Sequence, residues 1–488
     1  MVRTLALGTG LGVLGALCGL MVLAMSMLVH PLAAIGMLAG VPVLWFFLRF
    51  PVWGIALTVA AIPLEGLGRF TASDAAVIVS VAKLFGMLAA MSLAVHLLLG
   101  RLRAPWNAET ACLIVFCAVG IATMTHTSDL QNGLPRVVSF CTTAVFFYVI
   151  VALVRSAGDI RMILAGLMWT TAAVGVLAIA QRMLPGFAIM NNDGDTAIDA
   201  MGVQVDLSEA TTLGGEVRRS GGTSGSPHVY AANLLVAIPF YLYFIRTADD
   251  WRWRAMAAGG LLLAVANLLL THTRSGIVTC VPILGLMVWR GLIRFSARGI
   301  GLAALAGAGL FVMLPESVKV RLLDPERYSV DGAATLSTRL DYWRAGLEML
   351  HENWLFGMGM GNFSDLAHHE PSVTIGHAFM HNIYLQLFNE VGIFGFAAIC
   401  GFLALVLLRS ESAYRAACRT GAERERLLAV ALQASLLSGL VLGGTMDYLH
   451  FAVKDWWFVA AAIVALDGLR RTENRQYRNP YLSPAEIL

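Results

Sequence analysis

Two histidines and an asparagine, His377, His381 and Asn382, head the otherwise apolar stretch HAFMHNIYLQLFNEVGIFGF. Histidine titrates near neutral pH and can take the proton of an attacking hydroxyl, a contribution worth about 10²–10⁴ in rate. Two histidines one helical turn apart face the same way. That spacing would also suit a metal pair, with His368, His369 and Glu370 close in sequence. A metal site needs further ligands, so a general base is the better functional reading and no metal is expected. The plain alternative is a pair of interfacial polar residues that open a span.

Three arginine-bearing segments could do complementary work. RRSGGTSGSPHVYAANLL (218–235) sets Arg218 and Arg219 ahead of a Gly/Ser/Thr run. Guanidiniums bind phosphate in bidentate fashion, and glycines let backbone N–H groups approach an anion. LLLTHTRSGIV (268–278) places Arg274 in a turn of a few residues between two apolar stretches. A charge at the bilayer centre costs about 2.5–3.5 kcal/mol, less near the interface, and an ionisable residue so placed is a functional candidate by default. STRLDYWRAGLEMLHENWLFGMGMGNF (337–363) carries Arg339 and Arg344, then Gly357, Gly359 and Gly361. No strand precedes these glycines, so they signal close backbone approach and not a nucleotide site. The string GTSG (222–225) resembles the Gly-x-Ser-Gly of intramembrane serine proteases, but Ser224 lies in a loop ahead of its span.

The elements that must hold these residues are membrane helices. Of the 488 residues, 58% are hydrophobic and 13% charged, against about 25% charged in soluble domains; the mean hydropathy is +0.72. Apolar stretches occur near 5–29, 32–48, 52–65, 75–99, 108–125, 137–154, 161–181, 229–245, 255–271, 275–289, 299–314, 382–408, 427–445 and 455–469. The expectation is an all-α, polytopic bundle of about 12–14 spans, the first an uncleaved span behind Arg3. The net charge of +3 is too small to point to nucleic acid. Six of the seven cysteines fall in apolar stretches and Cys418 in a basic loop, so no disulfide framework is expected.

Short segments carrying 21 of the 34 Lys and Arg alternate along the chain. By the positive-inside rule they are cytoplasmic, as are both termini. Residues 1–181 are then N-terminal spans, 182–228 a periplasmic loop, 229–314 central spans, 315–378 a large periplasmic loop, 379–469 C-terminal spans and 470–488 a cytoplasmic tail. Ten of the eleven histidines fall on the outer side, His96 being the exception. The large loop contains an amphipathic helix with Leu336, Leu340, Trp343, Leu347, Leu350 and Trp354 on one face. Thr338 and Asp341 are its expected capping pair. Packing on the bundle is preferred for this helix over lying in the membrane interface.

Taken in order, RRSGGTSGSPHVYA, LTHTRSG, TRLDYWRAGLEMLHENWLFGMGMGNF and HNIYLQLFNEVGIFG resemble the motifs of the O-antigen ligase and O-antigen polymerase superfamily, over roughly residues 210–400. The resemblance implies an inverting, metal-independent glycosyltransferase of the bacterial inner membrane, without a cofactor. It implies transfer of a glycan from undecaprenyl diphosphate to an acceptor hydroxyl on the periplasmic face. By motif, Arg219, Arg274 and Arg339 would hold the diphosphate, with Arg218 beside them. His381 would be the base and Asn382 would orient it. The chain departs from the pattern at His228, where Asn is common, and in THTRSG, where Ser commonly precedes the Arg. Glu390, deeper in its span, reads as structural. The acceptor would be lipid A–core for a ligase or the next lipid-linked repeat for a polymerase. The long first loop and extra spans lean toward the polymerase, although no residue marks it. The competing class is a transporter or flippase for a lipid-linked glycan, which calls for mid-membrane charge. Lys83, nine residues after Asp74, is the mid-span cation that would fit it.

Overall fold

The computed structural model describes residues 40, 42–64, 80–102, 104–128, 130–183, 196–198, 204–206, 212–213, 217–224, 226–294, 335–363, 380–446 and 454–478, with isolated positions between 296 and 319. Among the described residues the main helices are α1 (Pro51–Ala61), α2 (Val81–Leu98), α3 (Ala108–Thr123), α4 (Leu130–Leu153), α5 (Ala157–Met183), α6 (Pro227–Thr247), α7 (Trp251–Leu270), α8 (Arg274–Trp289), α9 (Thr335–Asn353), α10 (Ile383–Thr420), α11 (Glu423–Gly443) and α12 (Lys454–Arg478). Two small antiparallel hairpins occupy the first long loop. In one, β1 (Thr196–Ile198) pairs with β2 (Gln204–Asp206); in the other, β3 (Thr212–Leu213) pairs with β4 (Val217–Arg218).

Eight helices among the described residues are long and apolar enough to cross a membrane, or nine if Pro42–Arg49 and Pro51–Leu64, bent by 105°, form one span. The all-α polytopic architecture is therefore as expected. Residues 5–29, most of 32–48 and much of 299–314 lie outside the described residues. The helices are apolar on more than one face. Leu84, Met87 and Met91 on α2 and Val278, Val281 and Leu284 on α8 point outward, as lipid-facing side chains do. α6 and α11 form the centre, with 78% of each apolar window buried.

Backbone hydrogen bonds are closed within each helix, so neighbours are joined by side chains. Tyr241 Oη donates to the Met168 carbonyl (2.8 Å), Asn267 Nδ2 to that of Gly175 (3.1 Å) and Ser435 Oγ to that of Val236 (2.8 Å). These bonds tie α6 to α5, α7 to α5 and α11 to α6. At the bend after Arg49, Ser92 Oγ donates to the Phe47 carbonyl and His96 Nε2 meets that of Leu48, both at 2.9 Å. Lys83 stands in the first turn of α2, capped by Ser80, so it is not the mid-span cation the sequence suggested.

Two ends of the bundle can be told apart by following these contacts. Tyr384 Oη donates to the Leu440 carbonyl (2.6 Å), which sets the start of α10 beside the finish of α11. Arg426 Nη1 donates to the Arg290 carbonyl (2.6 Å), which sets the start of α11 beside the finish of α8. Arg274, at the start of α8, therefore shares an end with Ile383. At the opposite end Arg409 bridges Glu109 (2.7 Å) and Asp467 (2.9 Å), joining α10, α3 and α12 through two fully buried carboxylates. α10 runs well past the expected residue 408, because RSESAYRAACRT keeps good helix formers and an Arg415–Glu411 pair until Gly421 ends it in the left-handed region.

α10 is broken at Gly392 (φ 63°). The glycine-rich loop after α9 is fitted against the break. Met358 and Gly359 N–H donate to the Asn389 and Glu390 carbonyls (2.8 and 3.1 Å), and Ile393 N–H donates to the Trp354 carbonyl (2.9 Å). A Cβ at Gly357 would strike the Glu390 carbonyl oxygen, and one at Gly392 would strike that of Leu355. The close backbone approach read from the glycines is thus used to repair an interrupted helix. Asn362 secures the loop from the other side, donating to the His126 and Met358 carbonyls and accepting from Ser128.

Candidate functional site

The first cluster forms where the chain leaves β4. Arg219 Nε donates to the Thr271 carbonyl (3.0 Å) and Nη2 to Thr273 Oγ1 (3.3 Å), with His228 Nε2 3.4 Å from Nη2. Ser220 N–H adds a bond to the Leu270 carbonyl (3.0 Å). The first loop is thereby laid against the α7–α8 turn, whose Thr271, His272 and Thr273 are buried. Arg274 follows at once as the exposed first residue of α8. The positive ends of α6 and α8 open here, with His228 in the first turn of α6. Arg219 and Arg274 are accordingly brought to one place, and His228 joins them. Ser224 Oγ donates to loop carbonyls of Gly221 and Ser226 and lies ahead of α6, as read from the sequence.

A second cluster surrounds His381. The residue sits in the left-handed region (φ 50°) immediately before α10. Asn382 is the cap of that helix, its Oδ1 accepting from the Tyr384 and Leu385 N–H groups (both 3.2 Å). Arg339 of α9 lies close enough for its charge to act on the ring. Trp343 Nε1 donates to the Met380 carbonyl (2.8 Å), and Met380 is fully buried among Tyr342, Met349, Met358 and Phe363. α9 thus fixes both the main chain and the electrostatics of His381. Burial of the ring, then the Arg339 guanidinium, push the imidazole down to about 4. The ring is neutral at pH 7 and has a lone pair to offer.

Among the described residues the non-glycine residues with positive φ are His272 and His381. Such backbone costs about 1–3 kcal/mol and persists where the surroundings over-determine it. One lies in each cluster, and both clusters stand at the same end of the bundle. Arg344 is not part of either: its side chain is 74% exposed and pairs with Asp341 (3.6 Å). α9 begins at Thr335, so Thr338 lies inside the helix and not at its cap. His377, His368, His369 and Glu370 lie outside the described residues, as does the side chain of Arg218, whose backbone is on β4 opposite Thr212.

Sequence reading missed Arg136. Its Nη1 meets Glu390 Oε1 at 2.6 Å, with side-chain exposures of 3% and 1%. Gln386 Nε2 donates to the same oxygen (3.0 Å), and the Gly361 N–H is directed at the carboxylate. The one signal was a cation beside Pro135 at the mouth of an apolar run, which reads equally well as a flank. Thr271 and Thr273 were visible only as neighbours of Arg274.

Residues 259–400 match the family model described as O-Antigen ligase. The matched segment contains Arg274, Arg339, His381 and Asn382, while the Arg218–Arg219 motif precedes it. No curated protein matches the chain. The match over residues 259–400 supports the chain's resemblance to the O-antigen ligase and polymerase superfamily.

Proposed function

We propose that the protein transfers a glycan from undecaprenyl diphosphate to an acceptor hydroxyl, at the membrane face that bears His381. A compartment without nucleotide sugars needs a donor that arrives already activated, and a lipid diphosphate brings its leaving group with it. The observation that carries the reading is His381, neutral, held in left-handed backbone beside Arg339, at the bundle end that also bears Arg219 and Arg274.

The chain's residues divide the work. Arg219, pre-set by Thr271 and Thr273, and Arg274 receive the diphosphate and stabilise the charge that develops as the glycosidic C–O bond breaks. Arg218 adds charge from the same loop. His381 takes the proton of the acceptor hydroxyl as its oxygen attacks the anomeric carbon. A ring at about 4 is a weak base in the free protein, and an arriving dianion strengthens it by offsetting Arg339. Arg339 then serves both the donor and the base, and Asn382 holds the turn on which the base stands. A single displacement with inversion follows. The His381 end faces the periplasm of a bacterial inner membrane, both termini lie in the cytoplasm, and the product is an O-antigen or exopolysaccharide. The acceptor is a lipid A–core sugar or a lipid-linked repeat.

The test is complementation in a strain lacking the native copy. His381→Asn keeps a residue that tolerates left-handed backbone, and His381→Ala does not. Both are expected to abolish surface-glycan assembly at normal protein level; normal glycan with either would overturn the assignment. Gel analysis of the deletion strain separates the roles: single capped units indicate a polymerase and accumulated lipid-linked polymer a ligase.

A further inference from the structure

α9 has three faces, and the bundle covers one of them. Tyr342, Ala345 and Met349 pack inward with Gly346 against Met380 and Leu385. Arg344, Glu348, His351 and Glu352 are exposed on a second face suited to water. The third face carries Leu340 (40% exposed), Leu347 (58%) and Trp354 (52%). These positions are seven residues apart, so at about 100° per residue they fall in one row. On the same count the apolar row lies about 150° from the packed face and about 85° from the polar one. A soluble loop helix has two sectors, core and water. A helix with an additional exposed apolar sector stands where protein, lipid and water meet.

The apolar row does not end at Trp354. Phe356, 64% exposed, lies against Phe394 with ring centroids 6.3 Å apart. Phe394 is itself 55% exposed on α10, a membrane-spanning helix. α9 runs alongside residues 380–393, with Trp343 bonded to Met380 near one end and Trp354 to Ile393 at the other. The exposed row is therefore continuous with the lipid-facing surface of the spans.

We propose that the Leu340–Leu347–Trp354 face of α9 is immersed in the acyl region of the phospholipid leaflet on the His381 side, so that the bilayer itself is its partner. The helix packs on the bundle as expected, through Tyr342, Trp343, Ala345 and Met349; the proposal concerns the part of the apolar row that this packing leaves exposed. Arg339 and Trp343, which bear on His381, are carried by the same helix, so its depth in the leaflet sets where they stand. The location of the face does not depend on the glycosyltransferase reading.

The experiment uses the full chain in proteoliposomes of phosphatidylethanolamine and phosphatidylglycerol with an alkyne-tagged phospholipid and no lipid-diphosphate donor. A photo-crosslinker is placed by Leu347→p-benzoyl-phenylalanine on the apolar face and by Glu348→p-benzoyl-phenylalanine on the polar face. Tagged lipid is expected to attach at 347 at least fivefold above 348. Equal labelling, no labelling at 347, or a protein–protein adduct at 347 overturns the proposal. Labelling at 347 only after donor is added also overturns it, because the face would then belong to the donor's chain. Unchanged melting of both variants in detergent shows that the fold is intact for the comparison.

Discussion

Arg136 on α4 and Glu390 on α10 form a 2.6 Å ion pair from which water is excluded on both sides. It joins residues 254 positions apart and braces the half-helix that begins at Ile383, just after His381. Gln386 donates to the same carboxylate oxygen, and the Gly361 N–H is directed at the group.

Breaking such a pair leaves a buried charge uncompensated, at a cost of about 3–5 kcal/mol. Arg136→Ala or Glu390→Ala is expected to lower the melting temperature of the detergent-solubilised protein sharply. The double change Arg136→Met with Glu390→Gln removes both charges and is expected to recover much of the loss. A double variant no better than either single would show that the pairing is not what matters.

The glycine clasp makes a graded prediction. Gly357→Ala places a methyl against the Glu390 carbonyl oxygen in left-handed backbone, whereas Gly421→Ala meets nothing within 4 Å at φ 68°. The second change carries only the backbone term of about 1–2 kcal/mol, and the first adds a collision with main chain that cannot give way. Thermal melts are expected to rank Gly357→Ala well below Gly421→Ala.

Activity should respond to pH through His381. In the proposed mechanism the base works unprotonated, so kcat/KM should climb through about pH 4 and be flat by pH 6. Arg339→Gln removes the smaller of the two causes of the lowered value, so the acid limb should move up, short of the ordinary 6.5. An unmoved limb would separate Arg339 from the histidine. The stability sign runs in parallel. Between about 4 and 6.5 the unfolded chain binds the proton more readily than the folded one, so this group's contribution grows with rising pH across that window.

Arg219 and Arg274 should fail differently. Arg219 joins the first loop to the α7–α8 turn through two hydrogen bonds and meets His228 of α6, while Arg274 is exposed. Arg219→Ala is expected to reduce both thermal stability and donor use. Arg274→Lys keeps the charge and loses the fork, so it should raise the donor KM tenfold or more at unchanged melting temperature. Full activity of Arg274→Lys would argue against bidentate binding.

Most of the helices were legible in the chain because a span must be apolar and long, and few other solutions satisfy lipid. Arg274 stood out because it falls between two such runs, and Arg218, Arg219 and Arg339 because of the motifs around them. What escaped reading was pairing across distance. Arg136 looks like any basic flank until α4 meets α10, and His228 looks like a departure until Arg219 arrives beside it. The α9 row was found and the helix packs on the bundle, but Leu340, Leu347 and Trp354 of that row stay exposed: heptad spacing reports that a face is apolar and not what covers it.

The break at Gly392 changes how force travels in α10. An unbroken helix acts as a rod, and a tilt at one tip reaches the other. Here the ladder is interrupted and its loose ends are held sideways by the glycine loop and Arg136. On the His381 side of the break the chain is held by α4 and α9, and on the far side Arg409 is paired with Glu109 and Asp467. One continuous chain segment is thereby two separately held half-helices, the first braced by the glycine loop and Arg136 and the second tied through Arg409 to Glu109 and Asp467.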